Sequence, residues 1–166
     1  MKSPVFSANS DCYQVTKIVY AGPIGEISEE KRRNGSTHYF KLSTSVGSTL
    51  CCYGDLESAK KAREALDYIL SEAKPTLFRS GGHVIDVKSI VSFSRVLPFK
   101  KSEGNKTHGF IVNLEVANEQ NSQVWLAYTS EDSAEKGRKA LFAAIYAANG
   151  MSRNAQPAPE PQAVAA

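Results

Sequence analysis

The chain has 166 residues, 42% hydrophobic and 22% charged, ordinary values for a globular protein with enough apolar side chains for one compact core or two small ones. A net charge of +3 and a pI near 8.7 fall short of the dense basic composition of dedicated nucleic-acid modules, so the charge permits an anionic partner without demanding one. No apolar run approaches the ~20 residues needed to span a bilayer, and the opening segment lacks the apolar stretch of a signal peptide, so a cytoplasmic protein with no membrane partner is expected.

Residues 1–11 read as an N-terminal arm. Tyr13, Val15, Ile18, Val19 and Tyr20 then form a strand whose alternation shifts phase near Lys17, as a bulge or a bend would make it do. A polar loop over residues 25–36 carries Lys31, Arg32 and Arg33 against Glu26, Glu29 and Glu30. Phe40 and Leu42 mark the inner face of a second strand, with Tyr39 on the outer one. The short polar turn at 43–48 folds it back as a hairpin into a third strand over 49–53. Asp55 can cap the following helix by accepting a free backbone N–H, and Glu57 sits in the first turn, where the helix dipole favours it. Ala59, Ala62, Leu66, Ile69 and Leu70 give that helix an apolar stripe. Residues 73–82, with Pro75 and Gly81-Gly82, read as a linker.

The same series then recurs. Val84, Ile85, Val87, Ile90, Val91 and Phe93 form a strand with its own phase shift at Ser89. Residues 98–106 form a polar loop with Lys100, Lys101 and Lys106. Phe110, Val112, Leu114 and Val116 alternate with Ile111, Asn113 and Glu115, the pattern of a sheet with one face on the core. In the next strand Val124, Leu126 and Tyr128 share a face and Trp125 and Ala127 take the other. Ser130 caps a second helix with Ala134, Gly137, Leu141, Ala144, Ile145 and Ala148 on its stripe, and Gly137 marks its closest approach to the sheet. The Pro- and Ala-rich segment 150–166 reads as a disordered tail.

Three collinear blocks carry this recurrence. Thr37-His38-Tyr39-Phe40 matches Thr107-His108-Gly109-Phe110 at an offset of 70, Val15–Val19 matches Val87–Val91 at 72, and Glu57–Leu66 matches Asp132–Leu141 at 75. Offsets that change only at loops are those of a duplicated fold. The expected fold class is therefore α+β: a tandem duplication of one β-β-β-α unit over residues 12–72 and 83–149, with antiparallel sheets each packed by one helix. The two units should be related by a pseudo-two-fold axis. Their apolar faces can pool, with sheets joined edge to edge or packed together, and their open edges make a homo-oligomer an expected state.

The chemistry-bearing residues are few. Cys12, Cys51 and Cys52 show no CxxC spacing, and the adjacent pair would project to opposite sheet faces, so reduced thiols in a reducing compartment are expected. No catalytic motif is present, and no cofactor or metal is expected, since His38 and His108 lack further ligands. The sequence thus points to a non-enzymatic binding module. One reading is single-stranded nucleic-acid binding, with Lys31, Arg32, Arg33, Lys100, Lys101 and Lys106 on the hairpin loops holding phosphates and Tyr39 and Trp125 stacking bases. The alternative is a protein-interaction or assembly module that uses sheet edges or the sheet face.

Overall fold

A computed structural model describes residues 4–120 and 122–150, except for the side chains of residues 101–103. The protein is mixed α+β, with two helices and several antiparallel sheets among the described residues. The tail assigned to 150–166 lies outside them after Gly150, as do residues 1–3 of the arm.

The chain begins with a hairpin of β1 (Val5–Ala8) and β2 (Asp11–Gln14), closed by Asn9 and Ser10, both at positive φ. A single 3-10 turn, Val15–Lys17, leads into β3 (Ile18–Ala21). β4 (Gly25–Glu26), a second 3-10 turn at Glu29–Lys31, β5 (His38–Thr44), β6 (Gly47–Tyr53) and α1 (Leu56–Ala73) follow. The order then runs again: hairpin β7 (Leu77–Ser80) and β8 (His83–Asp86), 3-10 turn Val87–Ser89, β9 (Ile90–Phe93), β10 (Leu97–Glu103), β11 (Lys106–Leu114), β12 (Ser122–Tyr128) and α2 (Glu131–Ala148).

Two expectations are corrected and one is narrowed. Among the described residues each half carries six strands rather than three. The phase shifts at Lys17 and Ser89 are 3-10 turns, the bend rather than the bulge, because a period of two cannot run through a helical turn; each divides its apolar run between two strands with different partners. The segments read as arm and linker contain β1 and β7, four-residue strands made by two-residue turns at Asn9-Ser10 and Gly81-Gly82.

β5 is the axis of the first sheet. β6 pairs along one edge of it, from His38↔Tyr53 to Thr44↔Gly47, while β3 and β4 share the other. β11 is used in the same way, with β12 on one edge and β9 and β10 on the other. The halves join edge to edge, because β8 adds to the outer edge of β3 with Tyr20↔Ile85 and Ala21↔Val84; a hairpin strand thus meets a strand that follows a 3-10 turn, so the expected pseudo-two-fold axis does not relate the halves, since a two-fold would bring like strands together. The cores cross at that seam: Val19 and Tyr20 pack with the second half and Val84 packs with the first.

The alternation read in the sequence is present in space. Phe110, Val112, Leu114 and Val116 are buried, as are Val124 and Leu126. α1 packs on β5 and β6, and α2 on β11, β12 and β7. Both helix caps are as expected: Ser58 N donates to Asp55 Oδ1 at 2.7 Å, and Ser133 N donates to Ser130 Oγ at 3.2 Å. A Cβ on Gly137 would overlap the Tyr128 ring and hydroxyl, so this glycine is what lets α2 lie against β12. Arg63 of α1 is buried at 7% exposure. It donates to the carbonyls of Gly22 and Gly82, tying α1 to the end of β3 and to the second half's hairpin turn.

Candidate functional site

The outer face of the sheet, away from the helices, gathers several of the residues singled out by sequence. β5 turns Phe40 and Leu42 inward, so Tyr39 and Lys41 face out and remain half-buried. Tyr39 lies across Gly25, its cross-strand partner; a Cβ there would come within 3.0 Å of the ring. A side chain at position 25 would push the ring off the strand, so the glycine fixes the tyrosine's direction.

The β4–β5 loop supplies the charge. Lys31 ends the 3-10 turn, and it and Arg33 line a recess of about 710 Å³ together with Tyr39, Asn9, Leu50 and Glu26. A second recess of about 420 Å³ shares Tyr39 and Leu50 and adds Lys41, Tyr20 and His83. The two form one groove across β5 and β6, with Lys31 and Arg33 at one end and Lys41 further along.

Arg32 plays a different part from its neighbours. Its Nε donates to Ile27 O at 3.1 Å and its Nη2 to Glu26 Oε1 at 3.1 Å, with Glu29 Oε1 3.9 Å from Nη1. It braces the loop, and the two carboxylates offset its charge.

In the second half Trp125 is 46% exposed, opposite half-buried Ile111. Phe99 stands 5.8 Å from it, centroid to centroid, and covers Gly109, where a Cβ would meet the Phe99 ring and the Leu126 carbonyl. The second basic loop is a correction. Residues 98–106 are mostly strand, with a turn only at Gly104 and Asn105, because β10 and β11 pair as far as Glu103↔Lys106. Lys100 is exposed on β10 and Lys106 is half-buried at the start of β11; the Lys101 side chain lies outside the described residues. Lys31, Arg33 and Tyr39 are thus brought together, while Trp125, Lys100 and Lys106 line neither part of their groove.

His83 opens β8, and its Nδ1 lies 2.9 Å from the Tyr20 hydroxyl. Burial, and secondarily the Arg63 guanidinium, push its pKa down to about 4, so the ring is neutral near pH 7 and can accept from Tyr20. Burial pushes Tyr20 up to about 12 and keeps it a donor. His38 and His108 are each held by their own threonine. Thr37 Oγ1 spends its one proton on Gly54 O and Thr107 Oγ1 on Thr129 O, so both imidazoles donate from Nδ1, at 2.8 and 2.9 Å.

The thiols are free: Cys12 exposed, Cys52 half-buried and Cys51 buried, with burial first and then Cys52 pushing the Cys51 thiol up to about 12. Among the described residues no cluster of three or more His, Cys, Asp or Glu could hold a metal ion, and no helix is long and apolar enough to cross a membrane. No protein-family model, no curated protein and no solved structure matches this chain.

Proposed function

We propose that the protein is a non-enzymatic single-stranded nucleic-acid-binding module built by tandem duplication of one unit. The observation that carries the binding reading is the groove in which Tyr39 lies between Lys31 and Arg33 on one side and Lys41 on the other. An aromatic face can stack a base of any sequence, and flanking cations can neutralise its phosphates. Trp125 with Phe99 offers a second stacking surface on the other half.

The duplication is supported by the recurring element order, with the units widened to 5–73 and 77–148 so that each includes its hairpin. Small contacts recur as well. The stacked pair Phe40–Tyr53 is repeated as Phe110–Tyr128, and Arg63 donating to Gly22 O is repeated as Arg138 donating to Ser94 O, both at 3.0 Å.

The test is affinity for a labelled single strand. Lys31→Ala with Arg33→Ala should weaken binding without changing the unfolding midpoint, whereas Arg32→Ala should act mainly on loop order. Equal affinity for the double variant and the parent protein would remove the groove from the account and turn attention to a protein partner.

A further inference from the structure

The seam between the halves is a template for a contact that the chain cannot make with itself. In it, the second half's hairpin strand β8 adds to the outer edge of the first half's β3. The corresponding strands are β2 and β9, each displaced by 72 residues from β8 and β3. Among the described residues β2 pairs with β1 alone and β9 with β11 alone, so the outer edge of each is open. We infer that a second copy of this chain adds its β2 to the free edge of β9, head to tail and antiparallel, with Tyr13 opposite Ser92 and Cys12 opposite Phe93.

Exposure supports this. Val19 of β3 is 8% exposed under the seam, whereas its counterpart Val91 is 67% exposed. Val84 and Ile85 of β8 are buried, whereas Cys12 is exposed and Tyr13 only half-buried. A β-branched residue left bare on an unpaired edge is what an interface shows when its partner is absent.

The polar contacts across the seam also have workable counterparts. Tyr20 bonds His83; in its place stands Ser92, whose hydroxyl accepts from Asn113 Nδ2 at 2.8 Å and keeps its proton for Asp11 of the second copy. Lys74, the residue after α1, donates to Asp86 Oδ2 at 2.6 Å. The residue after α2 is Asn149, and Asp86 corresponds to Gln14, so an amide pair replaces the ion pair. Arg63 reaches Gly82 O; Arg138 corresponds to Arg63 and Ser10 to Gly82, and both Ser10 and Gly82 sit at positive φ in a hairpin turn. A heterologous contact of this kind closes into a ring or continues as a filament. The inference does not depend on what the groove binds.

The test is sedimentation velocity of the full chain over the micromolar range. A concentration-dependent mass above 18.0 kDa is expected. Val91→Lys, on an exposed position that should not affect folding, should weaken association roughly tenfold or more. Gln14→Asp with Asn149→Lys should rebuild the seam's ion pair between copies and tighten association, while either change alone should not. A monomer throughout, in the parent and the double variant alike, would overturn the inference. So would an oligomer indifferent to both Val91→Lys and the ion-pair swap.

Discussion

The hydroxyls of Ser80 and Tyr128 lie 2.7 Å apart, joining the β7–β8 hairpin to the end of β12. The first half has the matching tyrosine, Tyr53, stacked on Phe40, but Ala8 stands where the serine would be. As a result Tyr53 Oη is buried with no hydrogen-bond partner among the described residues. A buried hydroxyl left unpaired forfeits its hydration without recompense.

Ala8→Ser should therefore stabilise the protein, by about 1 kcal/mol, by giving Tyr53 a partner. Tyr53→Phe should be neutral or slightly stabilising, and Tyr128→Phe destabilising by about 1 kcal/mol or more, since it strands Ser80. Urea midpoints of the three variants measure this, and equal losses for the two tyrosines would refute it.

Gly137→Ala should lower stability although alanine favours a helix by about 1 kcal/mol over glycine. The added methyl meets Tyr128, and overpacking of this kind costs about 1–3 kcal/mol. A loss in denaturation midpoint together with altered tyrosine near-ultraviolet dichroism is the expected result.

Lys74 and Asp86 form an ion pair across the seam, with side chains 9% and 11% exposed. Lys74 Nζ also donates to Ile18 O and Asp86 also accepts from Thr76, so the charges are held by groups from both halves. Lys74→Met leaves the carboxylate buried with fewer partners and should cost about 3–5 kcal/mol. A double-mutant cycle with Asp86→Asn should show strong coupling; additive effects would mean that the pair does not act as a unit.

Acid should weaken the fold through His83. Its folded pKa, about 4, lies below the ordinary 6.5, so the unfolded chain takes up a proton first as pH falls. The stabilising contribution is fully present above about 6.5 and is lost on descending toward 4. His83→Gln should flatten that part of the stability profile, and an unchanged slope there would place the acid sensitivity elsewhere.

Much of the fold was legible where local chemistry and tertiary context agree. The alternation from Phe110 to Val116 and the caps at Asp55 and Ser130 are set by nearest neighbours along the chain, and they appear where expected. The hairpins β1–β2 and β7–β8 were not legible, because four-residue strands such as Val5–Ala8 give too few alternations to separate from a loop, although Gly81-Gly82 is a two-residue turn signal. The burial of Arg63 was not legible either, because a helical pattern does not reveal free carbonyls waiting at Gly22 and Gly82. At the candidate site, the basic triplet 31–33 was found but not its division of labour. Arg32 is separated from Lys31 and Arg33 by carboxylates and a carbonyl that only the folded loop brings within reach.

The most direct test of the binding account is fluorescence anisotropy of labelled single-stranded and duplex oligonucleotides, titrated from low to near-physiological salt. The account predicts tighter binding to the single strand, weakening with salt. The log–log slope should be shallower by about 1.4 when Lys31 and Arg33 are both replaced by alanine, at roughly 0.7 for each phosphate no longer neutralised. Absence of binding at low salt, or binding indifferent to salt and to both substitutions, would contradict it.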